Sequence, residues 1–452
     1  MTVDIGSPAV RGQILRAGDP GYEDARALFN GMIDRRPAML VRVSDAADVA
    51  EALRFAREHG LEVSVRGGGH GVAGRALGGD LVIDLSALRA VTVDPDSRTA
   101  VVQGGATWGE VDHATQAHGL AVPGGRITHT GVAGLTLGGG EGWLSVKHGL
   151  ACDNLLAVEL VTADGRILRV DDDIEPELMW ALRGGGGNFG VVVSFTFRLH
   201  PVGPMVYGGM IGYRVSDAQA VLELLDRLYA QGSEDFGAAA VSMHAPPAPF
   251  VPADLVGQHI LAVVPTWFGD VEAGAQALAP LREEVEPLID GVGPLPYVAL
   301  QAMLDPGQPP GLRNRWGAGF AEKLTPELIA AAQEPLPGQL AHLIILPLPE
   351  AVRRLPELPG AFPSRMGGRW LVHPVATWAD PAEDEQNRAW VARMNAAVKS
   401  TGTYLNVEAP DDDRVRWAMG ETRYRRLQKV KATWDPDDVF RHCAHISPGD
   451  GS

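Results

Sequence analysis

The sequence predicts an α+β protein built from two domains, and three observations lead to that prediction. A chain of 452 residues is longer than a single hydrophobic core usually serves. The first 120 residues alternate short apolar runs with amphipathic helical runs, which is typical of strands and helices packed together. From about residue 205 the strands and helices are spaced more widely. We therefore expect a first domain over residues 1–204, a second over 205–401 and a C-terminal segment over 402–452.

The first domain is expected to begin with a helix, a strand and a second helix. The second helix has the clearest pattern, because Val49, Leu53 and Ala56 share one face and Gly60 follows as a stop. Turns that contain Asp-Pro or Gly-Gly then separate several short strands. The elements predicted in this domain are helices over residues 22–32, 45–58, 108–118 and 177–183, and strands over 39–43, 61–65, 81–85, 91–93, 99–103, 153–162, 167–170 and 191–197.

The second domain is expected to hold separate strands and amphipathic helices, with proline frequent between residues 245 and 364. The C-terminal segment is expected to form one long helix over residues 414–431, followed by a turn at Asp435-Pro436. The elements predicted in the second domain are strands over residues 206–213, 260–268, 341–346 and 369–377, and helices over 217–231, 271–282 and 384–399.

The composition argues against several classes of protein. Hydrophobic residues make up 45% of the chain and charged residues 21%, which indicates a globular protein. A formal net charge of −17 argues against binding to a nucleic-acid backbone or to an anionic membrane surface. Cys152 and Cys443 cannot form a disulfide framework, and no cysteine–histidine cluster has zinc spacing. No apolar run reaches the roughly 18 residues of a membrane span and no secretory signal is visible, so a cytoplasmic, metal-free protein is expected.

The run Val65-Arg66-Gly67-Gly68-Gly69-His70-Gly71 follows a β-prone segment, so we interpret it as a strand that enters a turn. Consecutive glycines leave backbone amides unshielded and able to adopt positive φ, which suits a phosphate or pyrophosphate group. Arg66 adds positive charge beside these amides, and His70 places a nucleophilic ring nitrogen at the edge of the site. Taken alone, such a short motif is more often a tight glycine turn beside an exposed histidine.

Two further glycine-rich stretches lie over residues 123–143 and 184–190. The first of them has glycines at positions 124, 125, 131, 134, 138, 139, 140 and 142, which is too many for the core of a regular helix or strand. Three such stretches, each beside a strand, favour one large ligand with an anionic part and flat rings. Because neither GxxxxGK[ST] nor a usable GxGxxG motif is present, the sequence favours a dinucleotide held outside a Rossmann fold.

With these motifs, the sequence resembles the FAD-linked oxidases of the vanillyl-alcohol oxidase/p-cresol methylhydroxylase (PCMH) superfamily, and within it the berberine-bridge-enzyme-like branch. The resemblance extends from about Pro37 to Pro448. It is carried by the ordered matches Arg66-Gly67-Gly68-Gly69-His70, Thr130 to Gly140 with Gly142-Trp143, Gly149-Leu150, Asp153-Asn154, Val161 to Gly165, Trp180 to Arg183, Gly190 to Val192, Leu427, Lys431, Asp435-Pro436 and Phe440.

The resemblance implies a PCMH-type FAD-binding domain made of the first domain and the C-terminal segment, with the second domain forming an antiparallel sheet over the flavin. It implies that His70 is joined to the flavin 8α-methyl group. Many relatives have a second link through a cysteine, but Ile127 stands at that position, so FAD with a single covalent link is expected. Cys152 is interpreted as a small core residue. The residues expected to bind FAD are Arg66, Gly67, Gly68, Gly69, His70, Gly71, Gly125, His129, Thr130, Gly131, Gly134, Leu135, Gly138, Gly139, Gly140, Trp143, Asp153, Asn154, Val193 and Asn406.

The second domain departs from the family pattern. Arg315 and Gly317 flank Trp316 where relatives usually have an aromatic residue and a lysine. Residues 348–352 lack the usual Gly-Gly pair, and Ser364 stands where histidine is common. Cys443 and His445 replace asparagines, whereas Tyr404 and Asn406 match the Tyr-x-Asn element of the family. The residues whose chemistry suits a catalytic base are Tyr297, His342, His373, Tyr404 and Glu408, and the sequence does not choose among them.

The family resemblance implies an oxidase that transfers hydride from a small-to-medium alcohol, amine or secondary-metabolite intermediate to flavin N5. Dioxygen is the expected electron acceptor and would be reduced to H₂O₂. An oxygenase or cyclase on the same fold, or a flavoprotein with a degraded active site, are the alternatives. The expected partners are a small-molecule substrate and dioxygen, with the chain a monomer or homodimer.

Overall fold

The computed structural model describes residues 6–353, 360–362, 368–408 and 412–449. Residues 6–204, here called the first region, contain two main sheets and six helices within the described ranges. In chain order the elements are β1 Gln13–Leu15, α1 Tyr22–Arg26, β2 Met39–Arg42, α2 Ala46–His59, β3 Val63–Arg66, β4 Leu81–Asp84, β5 Val91–Asp94, β6 Thr99–Gln103, α3 Trp108–Gln116, β7 Leu120–Ala121, α4 Val132–Leu137, α5 Ser145–His148, β8 Leu155–Val161, β9 Ile167–Asp171, α6 Pro176–Leu182, β10 Val191–Arg198 and β11 His200–Pro201.

The first sheet of this region ends next to the first glycine turn. Its order is β1-β2-β4-β3, with β2, β4 and β3 parallel and β1 antiparallel. The apolar face of α2 covers this sheet, and its predicted contact residues Val49, Leu53 and Ala56 are buried. Asp45 caps the start of α2 through the amide of Asp48, and Gly60 ends the helix in a left-handed conformation. The second sheet, β5-β6-β10-β8-β9, is fully antiparallel.

Residues 205–401, here called the second region, form one large antiparallel sheet with helices on one face. The elements are β12 Met205–Gly208, β13 Ile211–Arg214, α7 Ala218–Ala230, β14 Phe236–His244, β15 His259–Trp267, α8 Val271–Ala277, α9 Pro280–Glu283, β16 Ile289–Asp290, β17 Gly293–Pro296, α10 Tyr297–Gln301, β18 Arg313–Trp316, β19 Gly319–Ala321, α11 Pro326–Gln333, β20 His342–Pro347, α12 Glu350–Arg353, β21 Trp370–Trp378 and α13 Asp384–Val398. The path β16-β13-β15-β14-β20-β21-β18 forms the body of the sheet.

The two faces of the large sheet have different neighbours because side chains alternate along each strand. Leu343 of β20 and Val372 of β21 pack with α7, α11 and α13. Leu346 and Leu371 lie on the opposite face, in a cluster that includes Trp143 of the first region. The second region therefore presents one face of its sheet to the first region.

The C-terminal segment packs on the first region through two helices, α14 Asp412–Met419 and α15 Glu421–Trp434. Leu427 of α15 is fully buried in the core that contains α6. Lys431 is also fully buried, and its ammonium group donates to the carbonyl oxygens of Asn188 and Phe440 and pairs with Asp435. The segment thus contacts the third glycine-rich stretch.

The α+β class and the antiparallel sheet are confirmed, but several predicted elements differ from those in the structure. The helix predicted over residues 22–32 ends at Arg26, because the amides of Phe29 and Gly31 donate to carbonyls outside the helix. The strand predicted over 206–213 is two strands, since Gly209 adopts φ +136° between them. The helix predicted over 271–282 is interrupted before Pro280, whose ring cannot continue it.

Three other differences concern elements that the sequence patterns concealed. The helix predicted over residues 414–431 is broken at Gly420, which has φ +71°. The glycine-dense stretch 123–143 contains the short helix α4 between Gly131 and Gly138. β14 was not predicted, because its Ala-rich sequence lacks the alternation of a half-buried strand. The expected difference at Ser364 falls outside the described residues.

Candidate functional site

A cluster of five aromatic rings lies where the first region meets the second. The ring of His70 is stacked on Phe29, with centroids 4.0 Å apart and an interplanar angle of 12°. His129 lies 4.9 Å from His70 and 5.8 Å from Phe29, again between ring centroids. Trp316 of the second region lies 6.0 Å from His70, and its ring meets His373 edge-on at 5.5 Å. The predicted cofactor residues His70 and His129 are therefore brought together with the candidate base His373.

His70 is neutral and has one open ring nitrogen. Burial, and then the neighbouring His129, lowers the pKa of His70 to about 3. Its Nε2 atom is buried and has no hydrogen-bond partner among the described residues, while the ring also bonds its own main chain. An unprotonated imidazole nitrogen held in this way is a ready nucleophile.

The first glycine turn places His70 directly after β3. Gly69 adopts φ +68°, which an L side chain rarely tolerates, and its carbonyl accepts from the amide of Phe29 at 3.1 Å. The guanidinium of Arg66 donates to the carbonyl of Ala25 and burial lowers its pKa, so this contact anchors the turn. The Nε of Arg66 is buried without a partner among the described residues.

The first and second glycine-rich stretches touch through bare backbone. A Cβ on Gly68 would lie 2.5 Å from the Cα of Gly131, and a Cβ on Gly131 would lie 2.4 Å from the amide nitrogen of Gly68. A Cβ on Gly67 would lie 3.2 Å from the carbonyl of Gly104. By contrast, a Cβ on Gly71 or Gly134 would have no protein atom within 4 Å. The two stretches therefore form a close-packed glycine floor with open positions at its edges.

The loop that carries His129 is fixed at both sides of that residue. The amide and hydroxyl of Thr128 donate to the carboxylate of Asp305 in the second region. The carbonyl of Thr130 accepts from the amide of Trp108 at 3.0 Å, and its own amide donates to Ile127. A Cβ on Gly125 would lie 2.7 Å from Leu135, so this glycine is needed for packing of the same loop.

Tyr404 and Asn406 fasten the C-terminal segment to the triple glycine. The hydroxyl oxygen of Tyr404 accepts from the amides of Gly140 and Glu141 at 3.0 and 3.2 Å. Asn406 donates to the carbonyl of Leu135 at 2.9 Å, and its side chain fills the space where Gly138 has no Cβ. Burial raises the pKa of Tyr404 to about 12, which keeps its hydroxyl protonated.

The positive φ angles of Gly139 and Gly140, +120° and +90°, complete this turn. Beyond it Arg126 and Glu141 form a buried bidentate ion pair, with the guanidinium 4.4 Å above the ring of Trp143. Burial raises the pKa of Glu141, and the neighbouring Arg126 opposes that rise. This pair was not predicted, because nothing in the local sequence indicates that the two residues meet.

Other predicted cofactor residues hold the surrounding protein in place. Asp153 accepts from the amide of Leu150 at 2.8 Å, and Asn154 donates to two carbonyls of the same turn. Val193 is buried in the sheet, and its carbonyl accepts from Gly104 at 2.9 Å. Their contact with the cofactor stays a prediction.

The third glycine-rich stretch is occupied by protein groups. The amides of Gly184 and Gly186 donate to the carbonyl of Leu137. The side chain of Asn188 donates to the carbonyl of Ala444 and accepts from the amide of Ile446. This stretch therefore joins α4 to the C-terminal segment, and these particular polar groups are already used.

The face of the large sheet that meets the first region is here called the side-chain wall. It carries two neutral histidines. His342 of β20 and His373 of β21 are diagonal neighbours on the face that meets the first region, with Ile344 opposite His373. Burial lowers the pKa of both histidines to about 4. Nδ1 of His373 lies 2.6 Å from the carbonyl of Gly317, so it carries the proton and Nε2 keeps its lone pair.

His342 is bonded at both ring nitrogens, since Nδ1 lies 3.1 Å from the carbonyl of Leu340 and Nε2 lies 3.4 Å from the amide nitrogen of Gln308. Two other predicted base candidates are placed elsewhere. Tyr297, the first residue of α10, is buried beside Asp112 of α3. Glu408 accepts from Thr403 and pairs with Arg414.

Phe29 and Asn30 are the main site residues that the sequence did not reveal. The side chain of Asn30 donates to the carbonyl of Val72 at 2.8 Å and exchanges two hydrogen bonds with the backbone of Asn314. This contact ties the His70 turn to the strand that carries Trp316. The only available signal was the Asn-Gly pair at residues 30–31, which interrupts the predicted helix.

Within the described ranges, no cluster of three metal-ligating side chains occurs. Nor does any described helix have the length and apolarity required to cross a bilayer.

Comparison with known proteins identifies related domains at both ends of the chain. A family described as "FAD binding domain" matches residues 37–171, and one described as "Berberine and berberine like" matches residues 403–447. The chain is 30% identical over 472 residues to (R)-6-hydroxynicotine oxidase of Paenarthrobacter nicotinovorans, covering 99% of each chain. It is 31% identical to aclacinomycin-N/aclacinomycin-A oxidase of Streptomyces galilaeus, covering 98% of this chain and 94% of that one. The crystal structure of 6-hydroxy-D-nicotine oxidase from Arthrobacter nicotinovorans superposes with a TM-score of 0.85 at 27% identity, covering 98% and 99% of the two chains.

Proposed function

The chain belongs to the berberine-bridge-enzyme-like family of FAD-linked oxidoreductases, and on that premise we propose that it is an oxidase with FAD attached to His70. Its substrate is an uncharged alcohol or amine of small-to-medium size, and its electron acceptor is dioxygen. The observation that carries the proposal is the ring cluster, which holds a neutral His70 and a neutral His373 on two sides of Trp316.

The residues at the junction fit a flavin dinucleotide. His70 and His129 each have a buried Nε2 without a partner among the described residues, and the Nε of Arg66 is in the same condition. Gly68 packs directly on Gly131, whereas a Cβ on Gly71 or Gly134 at the edges of the glycine floor would meet no protein atom within 4 Å, so a flat or anionic group can approach the backbone at those edges. These are the properties that a buried site for a large planar cofactor with phosphate groups requires.

Each group has a distinct role in holding the cofactor. His70 would provide the covalent link, and the glycine floor with the open edge at Gly71 and Gly134 would receive the rest of the molecule. Ile127 cannot form a thioether, so the link through His70 would be single. When bound, FAD supplies the acceptor for a hydride and passes the two electrons on to dioxygen.

His373 is the residue best placed to take the substrate proton. Oxidation of an alcohol or amine requires a group that accepts the O–H or N–H proton as the C–H bond breaks. Nε2 of His373 keeps its lone pair because Nδ1 donates to Gly317, and the low pKa keeps the ring unprotonated at neutral pH. His342 is less available because both of its nitrogens are engaged.

The wall around His373 indicates a substrate without a net charge. The neighbours of His373 on that face, Ile344, Leu371 and Val375, are apolar, and the nearby Arg126 is already paired with Glu141. An isolated charge on the substrate would therefore be desolvated without compensation. The relatives named as oxidases of 6-hydroxynicotine and of aclacinomycins support an organic small-molecule substrate.

The purified protein provides the first test. We expect the yellow colour to stay with the polypeptide after denaturation in acid, and to be lost to the supernatant in the variant His70→Ala. A flavin that separates from the unaltered protein contradicts the covalent link.

The reaction itself is tested without knowledge of the natural substrate. Anaerobic photoreduction followed by exposure to air should give rapid reoxidation with one H₂O₂ per flavin. A panel of uncharged secondary alcohols and amines is then screened by H₂O₂ release. A product that contains an oxygen atom from dioxygen would identify an oxygenase instead, and a product isomeric with its substrate would identify a cyclase.

A further inference from the structure

Two histidines share one aromatic platform, and the proposed oxidation uses only one of them. His70 and His129 both pack on Phe29, with their ring centroids 4.9 Å apart. Each has a buried Nε2 atom that bonds to nothing among the described residues. The covalent link accounts for the open nitrogen of His70, whereas the proposed substrate oxidation does not use that of His129.

The position of His129 is held by contacts on both sides of it. Asp305 receives two hydrogen bonds from Thr128, and Trp108 donates its amide to Thr130. Because hydrogen bonds hold both neighbours of His129 in place, His129 has little freedom to move away from His70. A mobile surface histidine would not be held in this way.

The electrostatics of the pair favour a proton on one ring at most. Two protonated imidazoles with ring centroids 4.9 Å apart and buried Nε2 atoms would repel each other strongly. Burial, and then the neighbouring His129, lower the pKa of His70 and keep its ring neutral. His70 therefore does not hold a proton released close to the pair, and the open Nε2 of His129, on the ring 4.9 Å away, is the other acceptor that the pair offers.

We propose that His129 is the proton acceptor for the covalent attachment of FAD to His70. The inference rests on the proposed covalent link and adds a second residue to the process that makes it. It assigns to this chain a self-modification step separate from substrate oxidation.

The atoms and electrons of that step balance as follows. Nε2 of His70 forms one bond to the 8α carbon, and one C–H bond of the methyl group breaks. His129 takes the methyl proton, and the proton displaced from the imidazole of His70 is released as well. Both protons are returned to the ring nitrogens of the cofactor, which gains the two electrons of the broken C–H bond. Dioxygen then accepts these two electrons and two protons as H₂O₂.

The test follows attachment directly and requires no substrate. The full-length protein is produced in riboflavin-limited cells, and the flavin-free fraction is mixed with FAD in air. Non-covalent binding is followed by flavin fluorescence, and the covalent fraction by in-gel fluorescence and intact mass after denaturation in SDS. The variants are His129→Ala and the more conservative His129→Gln, with His118→Gln as a control because His118 is exposed.

We expect both His129 variants to bind FAD and to attach it about 100-fold more slowly, at the lower end of what a positioned base contributes. Added imidazole should partly restore the rate in His129→Ala, a response that a purely structural residue would not give. His118→Gln should attach FAD at the rate of the unaltered protein.

The outcomes separate the two proposals. Unaltered protein that binds FAD but never attaches it would overturn the covalent link, and the role of His129 with it. Unaltered protein that attaches FAD at the same rate as both His129 variants would overturn the role of His129 alone. Variants that bind no FAD would also overturn it, because His129 would then serve binding rather than attachment.

Discussion

The two sides of the site are built from different parts of the polypeptide. In the first region the candidate ligand surface is backbone, around the contact where Gly68 and Gly131 approach so closely that neither can carry a Cβ. In the second region it is a wall of side chains, with His342, Ile344 and His373 on one face of the large sheet. A surface formed by closely packed glycine backbone tolerates few substitutions. Side chains on a sheet face, by contrast, can be exchanged without altering the fold. We infer that the first region fixes the cofactor and the second sets the substrate.

The variant His373→Gln should have the largest effect on activity. The change should be confined to the side-chain wall and should leave the glycine floor intact. Loss of the unprotonated Nε2 removes the proposed proton acceptor, so kcat/KM should fall by roughly 10²–10⁴-fold. FAD content and the visible spectrum should be unchanged, because the glycine floor is untouched. Steady-state kinetics with a substrate from the H₂O₂ screen measure the loss.

Two comparisons sharpen this prediction. His342→Gln should lose less activity, because both nitrogens of His342 are already engaged. In the unaltered enzyme, activity should be lost as the pH falls through about 4, where His373 becomes protonated, and that acid limb should be absent in His373→Gln. Equal losses in the two variants would mean that the wall acts as a whole and contains no single base.

Lys431→Met should have the next largest effect, which is a loss of stability where the C-terminal segment packs on the first region. The ammonium group is fully buried, donates to two carbonyls and pairs with Asp435 and Asp438. Its removal leaves the buried carboxylate of Asp435 without its cation, and such a loss typically costs about 3–5 kcal/mol of unfolding free energy. Urea denaturation followed by flavin fluorescence measures the change. The matched control is Lys429→Met on the same helix, whose side chain is exposed; an equal loss in both would refute the argument from burial.

Gly68→Ala tests the glycine floor itself. The added Cβ would lie 2.5 Å from the Cα of Gly131, so the two glycine-rich stretches must separate. Such overpacking costs about 1–3 kcal/mol, and we expect it to appear as weaker FAD binding by the flavin-free protein. Gly293→Ala is the control, because a Cβ there meets no atom within 4 Å. Unchanged FAD affinity in Gly68→Ala would show that the floor is not part of the cofactor site.

The same contrast explains what could be predicted from the sequence. The turn that carries His70 was recognisable because its chemistry is local, with consecutive glycines directly after a strand. The proximity of His342 and His373 was not, because it depends on the register of β20 and β21, two strands that are separated along the chain. Phe29 was hidden inside a predicted helix that in fact ends at Arg26. The third glycine-rich stretch had the expected composition, yet Asn188 and Leu137 show that protein groups use it.

The smallest predicted effect lies where the two regions meet away from the ring cluster. Asp112 of α3 accepts from Gln301 of α10 at 2.8 Å, and Tyr297 lies beside them. Burial raises the pKa of Asp112 to about 7, with the hydrogen bond from Gln301 opposing the rise. Between pH 4 and 7 the folded protein therefore holds a proton that the unfolded chain has released, and stability falls as the pH rises through this window.

Asp112→Asn should remove that dependence, because an amide keeps the acceptor for Gln301 without a charge to desolvate. At pH 8 we expect Tm to rise by at least about 2–4 °C, the shift that corresponds to about 1 kcal/mol in a domain of 150–250 residues, and at pH 5 to rise clearly less, because only part of the pH window has been passed. Differential scanning fluorimetry of the holoenzyme at the two pH values measures the difference. A rise of the same size at both would mean that the carboxyl group is not the source of the pH dependence. The expected pattern would instead show that the junction, unlike the floor and the wall, depends on the charge of a single buried group.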